Sequence, residues 1–142
     1  MRALLVPVGS DLFAVPTSWV REVVASPHPT PLPTAPAMLL GVFNLRGEIV
    51  PLFDTAALLD IGRVPTLDYA AVLNTSHGAA GLVATAIPEV VILDELVGPS
   101  DLAATDGSYA LGNRVAVLLD VEALLNPVRF AGPGGSAMAV VR

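Results

Sequence analysis

One twenty-residue stretch of this 142-residue chain occurs twice. Residues 41–60 read Gly-Val-Phe-Asn-Leu-Arg-Gly-Glu-Ile-Val-Pro-Leu-Phe-Asp-Thr-Ala-Ala-Leu-Leu-Asp. They align without a gap on residues 107–126, Gly-Ser-Tyr-Ala-Leu-Gly-Asn-Arg-Val-Ala-Val-Leu-Leu-Asp-Val-Glu-Ala-Leu-Leu-Asn, and seven of the twenty positions are identical. Each copy reads as strand, two-residue turn, strand, Asp and a short Leu-Leu helix. Arg46-Gly47 and Gly112-Asn113 supply tight-turn residues, and Asp54 and Asp120 stand where a helix needs a side chain to cap its first free amides. The offset of 66 residues is too long for a stacked solenoid. Two small, partly closed β barrels sharing a junction fit better, in an all-β fold with short helices.

The remaining segments agree with a β protein. Ala3–Val8 and Asp11–Val15 flank Gly9-Ser10, a hairpin signal. Thr17-Ser18-Trp19 can begin a helical turn. Val20–Ala25 is a strand in which alternation puts Val20 and Glu22 on one side and Arg21 and Val23 on the other. Pro27, Pro29, Pro31, Pro33 and Pro36 then exclude helix and central strand, leaving an extended surface strap. Its Pro33-Thr-Ala-Pro36 spacing reads as part of a stiff loop. Further strands are expected at Tyr69–Asn74, Ala79–Ala86, Glu89–Leu93, Ser108–Leu111 and Arg114–Leu119. The predicted organisation is a single domain over 1–127, with subdomain one at approximately 14–70. Subdomain two takes approximately 71–127 plus the N-terminal strand, and a flexible tail covers 128–142.

Composition removes several function classes. There is no cysteine, which excludes a disulfide scaffold, a thiolate metal site and a cysteine nucleophile. All seven cations are Arg, and thirteen acids leave a net charge of −6 with both halves acidic. Nucleic-acid binding needs a positive footprint to release counterions, so no nucleic-acid partner is expected. Apolar runs are broken by Pro, Gly, Asn or Asp long before the roughly 18–20 residues of a membrane span. Pro7 and Asp11 likewise interrupt the opening residues too early for a signal peptide.

Candidate chemistry is sparse. Asp54 and Asp120 occupy equivalent places in the repeat, which marks them as caps rather than an acid/base pair. His28 and His77 have no ligand at metal-binding spacing, and no nucleophile elbow is present, so neither a metal, a cofactor nor a catalytic residue is expected. Arg46 stands out. A two-residue turn favours Asn, Asp or Gly, yet a long cation occupies this tip, with Glu22 and Glu48 as candidate carboxylate partners.

Several of these segments together resemble the CheW-like domain family. They are Phe13-Ala-Val-Pro16, Val20-Arg-Glu-Val-Val24, the proline strap and, above all, Asn44-Leu-Arg-Gly47 within the frame from Gly41 to Asp54. Ala80-Gly-Leu-Val83, Val90-Val-Ile-Leu93 and Val117–Leu125 follow in that family's order, so the likeness covers roughly residues 3–126. The link from Pro99 to Gly107 is short and acidic and lacks the proline-rich segment often found there. The resemblance implies two pseudo-repeated, SH3-like, five-stranded β-barrel subdomains and a cytoplasmic, non-enzymatic adaptor recruited to membrane-associated chemosensory arrays. Its implied partners are the regulatory domain of a CheA-type histidine kinase and the cytoplasmic tip of a chemoreceptor, without direct membrane insertion. It also assigns partner-binding positions. Glu22 and Arg46 match the family's charged pair. Val20, Gly41 and Gly47 match positions implicated in receptor docking, and Val23 is expected to bind a partner as well. The competing reading is a small apolar-ligand-binding β-barrel module with a pocket lined by the Tyr69–Ala86 hairpin.

Overall fold

The computed structural model describes residues 1–129. Two sheets carry almost all of it. The strands are β1 (Arg2–Val8), β2 (Asp11–Pro16), β3 (Val20–Ala25), β4 (Leu39–Leu45), β5 (Glu48–Phe53), β6 (Tyr69–Thr75), β7 (Gly78–Ala84), β8 (Glu89–Ile92), β9 (Leu96–Gly98), β10 (Thr105–Leu111) and β11 (Arg114–Leu119). Helices α1 (Thr55–Leu58) and α2 (Val121–Leu124) follow β5 and β11, and 3-10 turns occupy Thr17–Trp19 and Pro127–Arg129.

The first sheet has the order β3-β6-β7-β5-β4 and the second β8-β1-β2-β11-β10-β9. The repeat is visible in three dimensions. β5 lies parallel to β7, with Leu52 opposite Gly81, and β11 lies parallel to β2, with Leu118 opposite Ala14. Each half of the sequence therefore lends its first hairpin to the other half's sheet: β1–β2 joins β8–β11, and β6–β7 joins β3–β5. A division near residue 70 does not follow the sheets, because the whole Tyr69–Ala84 hairpin pairs with β3 and β5. Each half's sheet is completed by the other half's hairpin.

The second sheet curls on itself. β8 and β9 are its opposite edges, yet only Leu93, Asp94 and Glu95 separate them in sequence. The short β9 adds a sixth strand to the five expected, pairing Gly98 with Ser108. In the first sheet the equivalent place is held by the proline strap, where Thr30 forms a single bridge to Val42. Thr30 N–H donates to Val42 O at 2.7 Å and Val42 N–H donates back to Thr30 O at 3.0 Å. Prolines on either side lack the N–H groups needed to extend that bridge into a ladder.

Alternation along each strand feeds separate cores. Ala3, Leu5, Ala14, Leu93, Ala116 and Leu118 fill the second barrel. Phe43, Val50, Leu52, Ala70, Val72 and Val83 fill the first. The opposite faces of the same strands, with Leu4, Val6, Phe13, Val15, Phe53, Leu73 and Leu82, meet between the barrels beneath α1 and α2. Strands buried on both faces explain why these segments read as unbroken apolar runs.

Both helices start on the predicted caps. Asp54 Oδ1 accepts from Ala57 N–H at 3.0 Å, and Asp120 Oδ1 accepts from Ala123 N–H at 3.1 Å. The backbone on either side repeats as well: Asp54 N–H reaches Met38 O, and Asp120 N–H reaches Ala104 O. Of the segment expected to be a flexible tail, Val128 and Arg129 lie in the second 3-10 turn, and 130–142 lie outside the described residues.

Candidate functional site

The β4–β5 turn and β3 come together at the seam of the first barrel. β3 and β4 are the two edges of its sheet, so no backbone ladder joins them. Side chains do. Arg46, at the turn, donates through a terminal guanidinium nitrogen to Glu22 Oε2 on β3. Arg21, beside Glu22, donates to Glu48 Oε1 at 2.7 Å and to Asn74 Oδ1 of β6 at 2.7 Å. Neighbouring residues of a regular strand point to opposite faces. Here the β3–β6 register shifts between Val20 and Glu22, and such a bulge re-aims side chains, so Arg21 and Glu22 both reach the same hairpin. These are the two ion pairs among the described residues, and both cross this seam.

The turn is built for its tip. Arg46 has φ +51 and Gly47 φ +91, the left-handed pair demanded by a two-residue hairpin, and Asn44 Oδ1 accepts from Gly47 N–H at 2.8 Å. The Arg46 side chain is 70% exposed and that of Glu22 26%. The hydrogen bond from Arg46 holds the Glu22 carboxyl below its ordinary range, and the same bond pushes the Arg46 guanidinium up. The charge is thus fixed in place while most of its surface stays open to solvent.

The structure sorts the sequence-derived candidates. It brings Glu22, Arg46 and Gly47 together. Val20 is half-buried against the core between the barrels, and Val23 is exposed on the same strand. Gly41 is different: it is buried, with φ +149, and a Cβ there would collide with the Thr30 carbonyl of the strap. Its contact is internal. Of the two carboxylates offered to Arg46, Glu22 takes it and Glu48 goes to Arg21.

A second exposed surface was not assigned from the sequence. Val90 and Ile92 on β8, Leu96 and Val97 on β9 and Val115 on β11 are each more than half exposed, with the exposed acids Glu89, Asp94 and Glu95 interspersed. The signal available was the near-absence of polar alternation through 90–97, which also fits a strand buried on both faces. A cavity of about 290 Å³ opens at the junction, lined by Ser10, Asp11, Leu12, Phe13, Ile61, Leu102, Val115 and Val117. The Tyr69–Ala84 hairpin is not among its walls, because the inward residues of both its faces are packed in the two cores that it separates.

Ser76, His77 and Glu122 also meet on the surface. Ser76 Oγ donates to Glu122 Oε2 at 3.0 Å and lies 3.3 Å from His77 Nδ1. Acid and imidazole both touch the hydroxyl, so the acid does not orient the base as a nucleophilic relay requires. Among the described residues no cluster of His, Asp or Glu could hold a metal ion, and no helix is long and apolar enough to cross a membrane.

The CheW-like domain matches residues 2–129, nearly all of this chain. The chain belongs to the CheW-like domain family. A probable chemotaxis protein CheW of Rhizobium etli is 30% identical over 129 residues, covering 84% of this chain and 83% of that protein. Protein FrzA of Myxococcus xanthus is 34% identical over 134 residues, covering 86% and 83%. In three dimensions the chain resembles the scaffolding protein CheW of Thermoanaerobacter tengcongensis with a TM-score of 0.78, at 22% identity and with 88% and 92% of the two chains covered. CheW-like proteins are scaffolds of chemotaxis signalling and not enzymes. The two-subdomain β fold expected from the resemblance is the fold found.

Proposed function

We propose that this CheW-family chain is an adaptor that couples a chemoreceptor to a CheA-type histidine kinase, with the Arg46–Glu22 corner of the first barrel as part of its docking surface. One observation carries the reading. A non-glycine residue in the left-handed region costs about 1 kcal/mol or more, yet Arg46 occupies it at an exposed turn and is anchored by a carboxylate from the opposite sheet edge. An exposed ion pair adds little to stability, so its value lies in fixing the shape and charge of a surface.

Val20 and Val23, on the same strand as Glu22, supply apolar contacts that suit the face of a receptor helix. Affinity would come from such anchors and orientation from the charged pair. Signal transfer then needs only that the adaptor bind receptor and kinase differently in their active and inactive states. Attachment to a membrane array would come through the receptor, in the cytoplasm, for flagellar chemotaxis or surface motility.

The test is a mass measurement by light scattering. The purified chain is mixed with the regulatory domain of its own organism's CheA-type kinase, and separately with a bundle carrying the receptor tip. A complex with the wild type that Arg46→Glu weakens at least tenfold supports the reading. No complex with either partner overturns it.

A further inference from the structure

We propose that Arg21 is the positioning residue of the first barrel: through Glu48 and Asn74 it closes the seam between the sheet's two edges and holds the Arg46 turn against β3. The docking half of this inference rests on the function proposed above; the seam itself does not.

The geometry is specific. One guanidinium ties three strands. Arg21 sits on β3, Glu48 opens β5, and Asn74 lies near the end of β6. Its Nε and one terminal nitrogen are both engaged at 2.7 Å, a two-partner grip that suits the rigid fork of arginine and not a lysine ammonium. The Arg21 side chain is 30% exposed, against 70% for Arg46. Of two neighbouring cations, one is therefore committed to the protein and the other is presented to solvent.

Arg21 also settles the choice of carboxylate at the turn. Glu22 and Glu48 were both within sequence reach of Arg46. By taking Glu48, Arg21 leaves Glu22 to Arg46, and the turn is drawn toward β3. Without Arg21 the like-charged Glu22 and Glu48 would compete for Arg46, and the hairpin tip would lose its fixed direction. The bulge at Val20–Glu22 is what lets the two adjacent side chains share this task. Outside this seam no ion pair is found among the described residues, although acids are spread through the chain.

The experiment compares the full chain with Arg21→Ala and with the exchanged pair Arg21→Glu/Glu48→Arg. The first readout, amide hydrogen exchange by NMR, needs no partner. In Arg21→Ala the hydrogen-bonded amides of Val20–Ala25 and Glu48–Val50 are expected to exchange about tenfold faster, with those of β1, β2, β10 and β11 unchanged. The exchanged pair should restore part of that protection. Unchanged seam amides, or an equal rise everywhere, would overturn the proposal.

The second readout is a double-mutant cycle on partner affinity. Arg21→Ala should weaken binding about fivefold when Arg46 is present and not at all in the Arg46→Ala background, since a residue acting through another is non-additive with it. Equal loss in both backgrounds would make Arg21 an independent contact and overturn the positioning role. If the wild type binds neither partner, the proposed function fails, and the exchange data alone decide whether Arg21 closes the seam.

Discussion

Asp54 and Asp120, 66 residues apart, make the same bond: each Oδ1 accepts from the amide three residues on, at 3.0 and 3.1 Å. They are not equal in surroundings. Asp54 is 1% exposed and also accepts from Val64 N–H, at 3.1 and 3.2 Å to its two oxygens, pinning the connector that leads to β6. Asp120 is half-buried, and its cap bond is the one contact found for its carboxylate among the described residues. Asp120→Ala should therefore cost about 1 kcal/mol, the worth of a cap. Asp54→Ala should cost about 2–3 kcal/mol, because it also leaves the part-buried Val64 amide without its acceptor. Urea unfolding of the two variants against wild type measures the difference, and equal losses would refute it.

Gly41 and Gly107 form a second equivalent pair with unequal consequences. A Cβ at Gly41 meets the backbone of Thr30 and Pro31, whereas at Gly107 it meets Leu96 Cδ1 at 3.1 Å and Gly98 O at 3.2 Å. At Gly107 the methyl can move aside and the Gly98 carbonyl need give by only a few tenths of an ångström, whereas at Gly41 the overlap with the Thr30 carbonyl is far deeper and cannot be relieved without breaking the Thr30–Val42 bridge. Gly41→Ala is expected to destabilise by about 3 kcal/mol and Gly107→Ala by about 1–2 kcal/mol, from steric strain and left-handed backbone. Thermal unfolding by calorimetry checks the order.

Arg129 joins the two halves of the repeat at one point. Its guanidinium donates to Leu58 O at 3.0 Å and, more weakly, to Leu124 O at 3.5 Å, carbonyls at corresponding positions of α1 and α2. Arg129→Ala should lower stability by about 1 kcal/mol. Arg129→Lys should recover only part, since an ammonium lacks the planar fork that reaches both carbonyls. Chemical denaturation curves of the three proteins give the ranking.

The Glu22–Arg46 pair sets a pH dependence. The Glu22 carboxyl is held low by the hydrogen bond from Arg46. A carboxylate with a depressed folded value contributes stability that is present above its unfolded value and is lost as pH falls through the folded one. The contribution should thus be intact at neutral pH and fade as pH falls below the ordinary glutamate range. Melting temperatures of wild type and Glu22→Gln, followed from pH 7 to pH 3, should converge at the acid end. A gap that stays constant would show that the pair does not titrate as described.

How much of this was legible depends on the range of each interaction. Asp54, Asp120, Arg46-Gly47 and Gly9-Ser10 act on atoms within a few residues, so residue type and spacing reveal their roles. The repeat was visible because its two copies satisfy the same local demands. The family resemblance directed attention to Glu22 and Arg46, and the structure places the two side chains in contact. Arg21 was hidden because strict alternation turned it away from Glu22, and the bulge that reverses this depends on pairing with β6.

The sequence by itself determined ten of the eleven strands, the turns, the caps and the two-fold plan, since each follows from backbone preferences and short-range hydrogen bonds. Tertiary structure alone decided which hairpin joins which sheet, that Gly41 lies under the strap, and that Glu48 belongs to Arg21. The physical reason is that strands buried on both faces carry no outward polar face to mark their side or neighbour. Their partners are selected by how three apolar cores are filled at once, a property of the whole chain rather than of any segment.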